Sequence, residues 1–502
     1  MGNSRSFRRL TAAAVGAVGA AVALAPSVSA APAPSTATGP SSTVAPYVLP
    51  VAPGVSITSL LSVGDAAGGY RMVGIPDGLG AMSGANGSVD VFMNHELGNA
   101  LGIPRAHGQK GAFVSRWSID PSSGTVLSGG DLITGVMDWD YNANGGLGAY
   151  ESNTTSNAAF NRFCSASLTE DGQLLNKRSG NGYAGRLFFG SEESGDDART
   201  FGIDVASGIA YQLPRIGKFS SENTLVASTK GDTTLVLGNE DGGNGQVRVY
   251  WGTKQATGTA VDKAGLTNGA LHVLAVEGAT KDVDFRSVFG KNVEVKASFP
   301  EISWNATGAA QNAEAASKGL TLNRIEDGAF DPRKPGDYYF VTTDGGQGIG
   351  NEGGGGGLWR LRFADVDRPE LGGTLTLLLD GTEGVALNKP DNISVDNGGN
   401  ILIQEDPGGV PAVARIVAYR IADGRTGVVA EFDRSLFAAG APGLITIDEE
   451  SSGIIDVSSL WKRPNTFLFD AQVHASAGDA ALVEKGQLLT LSIQSWGQVY
   501  GG

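Results

Sequence analysis

Thr234-Leu235-Val236-Leu237-Gly238 runs straight into Asn239-Glu240-Asp241, a short apolar strand that ends in acid. A polar turn, Thr229-Lys230-Gly231-Asp232, precedes it, and a second strand-like run over residues 246–251 follows. The pattern recurs. Val89-Asp90-Val91-Phe92-Met93 leads to Asn94-His95-Glu96, and Arg186-Leu187-Phe188-Phe189-Gly190 leads to Ser191-Glu192-Glu193. Tyr338-Tyr339-Phe340-Val341 leads to Thr342-Thr343-Asp344, and Ile401-Leu402-Ile403 to Gln404-Glu405-Asp406. Phe467-Leu468-Phe469 leads to Asp470-Ala471-Gln472, with His474 just beyond. Turns at 331–337 and 396–400 and following runs at 357–363 and 415–421 repeat the flanks. Strand, turn, strand, loop, strand is the unit of a propeller blade, so the expected fold is an all-β, six-bladed β-propeller with insertions. The longest insertion is expected between Glu96 and Arg186. Helical periodicity is confined to 309–318 and, more weakly, 158–168.

If those runs line the axis of the propeller, their acid tips converge at one mouth. A solvated turn explains any one tip, but it explains six poorly, because apolar runs could as easily end in Lys or Ser. Clustered Asp, Glu and Asn oxygens suit hard cations, and calcium tolerates the irregular geometry that separate blades supply. A thiolate in such a site adds a preference for a transition metal. The one cysteine, Cys164, cannot form an internal disulfide, and a buried bystander is its alternative reading.

The ends and the charge bound the setting. Arg5, Arg8 and Arg9, an uncharged apolar stretch over 11–25 and Val28-Ser29-Ala30 order residues 1–30 as a cleavable signal peptide. Its apolar run is shorter than a bilayer requires, and Arg8-Arg9 suits twin-arginine export to a secreted or periplasmic location. Residues 31–45, rich in Ala, Pro, Ser and Thr, read as a tether, and 46–502 as a single propeller domain. The formal net charge of −15 becomes −18 without the three arginines of the leader, which holds no other charged side chain. Such a surface repels phosphate backbones and anionic lipid, so neither nucleic acid nor a membrane is expected as partner. A monomer acting on a small molecule is the expectation. Gly-x-Ser-x-Gly, His-Glu-x-x-His and the phosphate-binding Gly-x-x-x-x-Gly-Lys are all absent from the sequence, and the glycine run over 353–357 reads as a loop.

At this point the motifs become recognisable. Asn94-His95-Glu96, Arg162-Phe163-Cys164, Gly190-Ser191-Glu192-Glu193 and Gly238-Asn239-Glu240-Asp241 stand in order. Arg324-Ile325-Glu326-Asp327-Gly328, Asp391-Asn392-Ile393, Gln404-Glu405-Asp406-Pro407 and residues 448–456 complete the series. Together they resemble the PhoX-type alkaline phosphatases. The resemblance implies an exported, six-bladed phosphomonoesterase with calcium and iron (Fe3+) at its site and a small phosphorylated substrate. It makes Cys164 the iron ligand, with Glu193, Glu240 and Glu326 as bridging or metal-binding carboxylates. Glu96, Asp241, Glu405 and Asp406 are further ligand candidates, and the choice between Glu192 and Glu193 stays open. Arg324 and Glu326 are the candidate catalytic residues, with Arg324 meeting the substrate phosphate beside Asn94 and His95. Glu449 and Glu450 read as a solvated turn and are left outside the site. Departures from the family pattern are the interval 165–191, which lacks a Thr-Pro-Trp-Gly-Thr-Trp segment, Ile325 where proline is usual, and Asn239-Glu240-Asp241 where Gly-Asp-Asp is common. Two alternatives accompany this reading: a calcium-only propeller hydrolase, such as a phytase or lactonase, and a non-catalytic metal-binding propeller.

Overall fold

Six antiparallel-dominated blade sheets and one two-stranded ribbon, Ala66–Ala67 with Tyr70–Arg71, form the protein in a computed structural model that describes residues 1–3, 32–146, 148–155, 158–344, 356–408 and 410–501. Each of the six larger sheets is one blade. The innermost strands are Pro76–Ser83, Phe163–Leu168, Ser221–Val226, Ile325–Asp331, Pro390–Val395 and Glu449–Asp456, and each touches the next to close a ring around the axis. Numbering blades 1 to 6 from Pro76–Ser83, the second strands are Val89–His95, Leu187–Glu192, Thr233–Glu240, Lys334–Thr342, Asn400–Glu405 and Thr466–Ser476. The apolar runs recognised in the sequence are therefore the second strands, not the innermost ones.

The reason is the environment. A second strand is buried on both faces, so it reads as continuous Val, Leu and Phe. An innermost strand lines a narrow polar channel and is built of residues such as Pro390-Asp391-Asn392-Ile393-Ser394.

Apolar side chains gather between neighbouring blades. Phe92 with Phe188, Leu237 with Phe340, and Tyr339 with Ile401 mark three of these interfaces. The circle closes through the N-terminal segment: Val55–Ser62 pairs with Glu484–Ile493 in blade 6, and Val48–Pro50 adds to Thr426–Phe432 in blade 5. Residues expected as a tether take part, since Ser35–Thr38 pairs in parallel with Val55–Ser62 and Thr43 bonds to the Asp65 carboxylate. Unsatisfied edge groups of the closing strand give that segment partners despite its linker-like composition.

The insertion before Arg186 contributes Gly135–Asp140 and Ala149–Asn153 to the outer edge of blade 2. The helix expected at 309–318 spans Gly308–Lys318, capped by Thr307, whereas 163–168 of the weaker helical stretch is the innermost strand of blade 2. Among the described residues no helix is long and apolar enough to cross a membrane. Residues 4–30 of the expected leader and 353–355 of the glycine run lie outside the described residues.

Candidate metal centre

One hydrogen bond repeats six times at the same end of the propeller. In five blades the residue after the acid-tipped second strand, and in blade 6 His474 within that strand, donates its N–H to the carbonyl of the residue just before the innermost strand. The pairs are Glu96 to Ile75, Glu193 to Arg162, Asp241 to Ser220, Thr343 to Arg324, Asp406 to Lys389 and His474 to Asp448, at 2.9–3.1 Å. Ile75, Arg162, Arg324 and Lys389 adopt left-handed φ values of 51°, 52°, 52° and 48°. That conformation is costly for non-glycine residues, above all for β-branched Ile75, and such strain collects at functional sites.

Two residues further on stand Asp77, Cys164, Glu222, Glu326, Asp391 and Glu450, one from each blade. In five blades the strand pairing slips at this position, and such bulges re-aim a side chain. The result is a ring of five carboxyls and one thiol. A second tier, Glu96, Glu193, Asp241 and Asp406, rises from the second-strand ends. Ligand atoms of Asp77, Glu96 and Cys164 lie within 4.8 Å of one another, as do those of Cys164, Glu193 and Glu222. The same holds for Glu222, Glu326 and Asp391, and for Asp391, Asp406 and Glu450. Four overlapping groups thus follow one another around the ring.

These groups are buried and acidic together. Burial pushes the Asp77, Glu222, Glu326, Asp391 and Glu450 carboxyls well above the usual carboxylate range, and their mutual repulsion adds to it. Glu193 is pushed up to about 8, by burial first and by Glu96 second, with Arg162 opposing. The Cys164 thiol is pushed up by burial and the surrounding acids, and donates to Asp77 at 3.3 Å. Asp77 Oδ1 finds no hydrogen-bond donor among the described residues. Oxygen donors in excess of protein donors, with one sulfur among them, fit hard cations together with a thiophilic transition metal.

Two guanidiniums sit over the ring. Arg162 Nη2 lies 2.6 Å from both Glu96 and Glu193. Arg324 takes Asp241 in a two-point contact at 3.0 Å and reaches Glu326 at 3.1 Å. Both side chains keep more than a third of their surface exposed, so both can be approached from solvent.

Strand alternation sorts the remaining candidates. Side chains at successive strand positions point to opposite faces, so the residue that donates the rim hydrogen bond faces the mouth and the residue before it faces away. Glu192 therefore pairs with Arg199, Glu240 with Arg248 at 2.9 Å, and Glu405 with Arg415 at 2.6 and 2.8 Å. Each is a buried ion pair within its own blade, apart from the groups above. His95 is enclosed between the Gly74 carbonyl and Ser115 Oγ and stacks on Phe113, and burial pushes its pKa down to about 3. It stays neutral, and both ring nitrogens are taken up within blade 1. Asn94 bonds the Cys164 main-chain carbonyl at 2.7 Å. Asn239 does the same for Glu326, and Gln472 donates to Asp77, so an amide belt from one blade holds the ring residue of the next.

The sequence pattern does not single out Asp77, Glu222, Asp391 or Glu450 as site residues. Glu450 in particular is buried within the ring and not a solvated turn, while its neighbour Glu449 faces the Ala414 N–H. The available signal was a carboxylate, or in blade 2 the lone cysteine, at the start of the hairpin that leads into each acid-tipped run.

A family model described as alkaline phosphatase PhoX matches residues 205–440, which hold Glu222, Arg324, Glu326, Asp391 and Asp406. No curated protein sequence matches. Among solved structures, Pseudomonas fluorescens PhoX in complex with vanadate, a transition state analogue, aligns with a TM-score of 0.62 at 12% identity. The alignment covers 88% of this chain and 96% of that one. The GH93 α-L-arabinofuranosidase of Fusarium graminearum aligns at a TM-score of 0.38 and 9% identity, covering 88% and 98%. With the family model lying across blades 3 to 5 and a PhoX structure sharing the fold over nearly its whole length, the resemblance to the PhoX-type alkaline phosphatases carried by the sequence motifs is shown.

Proposed function

We propose that the protein is an exported, metal-dependent phosphomonoesterase of the PhoX type, acting as a monomer on small phosphate esters at the ring end of the propeller. The observation that carries this reading is the equivalent placement of Asp77, Cys164, Glu222, Glu326, Asp391 and Glu450, one per blade, below two arginines. The ring acids, with Glu96, Glu193 and Asp406, are the ligands assigned to calcium and iron, and Cys164 is the group that selects iron. Bound there, the metals would polarise a phosphoryl oxygen and lower the pKa of a water.

The chain's own contribution is positioning and charge. Cations in the ring would neutralise Glu96, Glu193, Asp241 and Glu326, leaving Arg162 and Arg324 free to engage a phosphate. Arg324, already in a fork with Asp241, suits two-point contact with phosphate oxygens and with the charge that builds on them during transfer. Asn94, Asn239 and Gln472 keep the ring strands in register with their neighbours. A net charge of −15, or −18 without the three arginines of the leader, disfavours polyanionic substrates and leaves small monoesters.

Purified without chelators, the protein is expected to contain calcium and iron and to hydrolyse a generic phosphomonoester at alkaline pH, with activity lost on chelation. Calcium without iron would select a calcium-only hydrolase. Metal content without any phosphomonoesterase activity would overturn the enzymatic assignment.

A further inference from the structure

Asp470 is a carboxylate where the propeller otherwise places an apolar side chain. Counting four residues back from the repeating rim hydrogen bond gives Phe92, Phe189, Leu237, Tyr339 and Leu402 in blades 1 to 5, all core residues, and Asp470 in blade 6. Asp470 is fully buried, and neither of its carboxylate oxygens meets a hydrogen-bond donor among the described residues. An unpaired carboxylate in such a place is among the costliest things a core can hold.

The surroundings supply more acceptors. Gln472, two residues on and on the same strand face, turns its amide N–H to Asp77 at 3.0 Å, while its Oε1 is likewise without a donor among the described residues. On the paired innermost strand of the same blade, Gly453 has φ +63°, and a Cβ there would lie 3.0 Å from Asp470 Oδ2, and, across the interface to blade 1, 2.8 Å from the Asp77 carbonyl oxygen and 3.0 Å from Leu79 Cγ. Both oxygens thus come within about 3 Å of where a side chain would begin at Gly453, an approach that only a glycine permits.

The backbone is adapted at the same spot. In the other five blades the pairing slips beside the ring residue, but in blade 6 it slips two residues lower, between Ser452 and Ile455, and Ser452 is the partner of Asp470. Glu450 pairs with Gln472 and Ser452 with Asp470, so Asp470 lies one pleat repeat, about 7 Å, below the ring.

We propose that Asp470 marks a cation site separate from the ring, in which one hard divalent cation is held by the Asp470 carboxylate, Gln472 Oε1 and the Asp77 carbonyl. Oxygen-only donors of mixed type and irregular arrangement point to calcium over a transition metal. The Asp77 residue then joins the two sites, its carboxyl in the ring and its main chain in the layer below. This site is independent of the activity proposed for the ring.

Long-wavelength anomalous scattering from crystals of the unmodified protein, purified without chelator and kept in calcium, tests the proposal directly. A calcium peak within coordinating distance of Asp470, distinct from the ring peaks, is the expected result. A structure with no peak there, and with Asp470 hydrogen-bonded as a protonated acid to the Asp77 carbonyl, would overturn it. Calcium counting on variants gives a second reading. Asp470→Asn should lose one calcium per chain and Asp470→Leu, which installs the residue of blades 3 and 5, should do the same, with iron unchanged in both. Unchanged calcium in both variants would sink the idea.

Discussion

Stripping the metals should weaken the fold, and the loss should grow with pH. Two ionised ligand groups at the 4.8 Å limit within the ring repel by about 3.5 kcal/mol at an effective dielectric near 20. One such pair in each of the four overlapping groups, partly relieved by protonation, leaves a penalty on the order of 10 kcal/mol. For a chain of 502 residues the unfolding entropy is roughly 1 kcal/mol per degree, so Tm should fall by roughly 10 °C. The sign of the pH effect follows from the raised carboxyls. In the metal-free folded chain these acids hold protons that the unfolded chain has released, so the folded state binds more protons and its stability falls as pH rises. The window opens near the unfolded value of about 4.3 for Glu and extends past the value of about 8 to which Glu193 is pushed. Differential scanning calorimetry with and without chelator, from pH 6 to pH 9, checks both parts. Calcium should restore Tm, and the metal-loaded curves should be nearly flat with pH. Superimposable curves in the two conditions would refute the idea that the ring is built around cations.

Cys164→Ser should lower iron content and activity together while calcium remains, as elemental analysis beside a phosphomonoester assay can record; full activity with unchanged iron would remove the thiolate from the site. Arg324→Ala should reduce kcat/KM on the order of 10²-fold if its charge is well aimed, with metal content retained, and Arg162→Ala should follow in direction. Glu193→Gln should cost bound metal and shift the Tm measured in metal toward the stripped value, whereas Glu192→Gln breaks the buried pair with Arg199 and should lower Tm with metal content kept, by an amount corresponding to roughly 3–5 kcal/mol. The export reading predicts a secreted chain beginning near Ala31, and an intact N-terminus by mass spectrometry would count against it.

How much of this was legible in the sequence follows from where each strand sits. The segment Thr234-Leu235-Val236-Leu237 is enclosed between blade faces, so its burial is written as an unbroken apolar run, and six such runs announce the propeller. The strand that carries Asp77 announces nothing of the kind, because it faces the axis. A Cβ at Gly78 would come within 2.2 Å of the Ala166 nitrogen, so close approach of neighbouring strands demands small residues there, and a strand of Pro, Asp and Gly reads as a turn. The acid tips were visible, but assigning each glutamate to the mouth or to an ion pair needs the exact strand end. One position separates Glu193 over the ring from Glu192 against Arg199, and Asp406 from Glu405 against Arg415. Local pattern therefore specifies that acids collect at one end, and alternation along a correctly bounded strand decides which of them meet. Glu450 shows the consequence. Beside Glu449 it looks like a solvated pair, yet the same alternation turns Glu449 toward the Ala414 N–H and Glu450 into the ring.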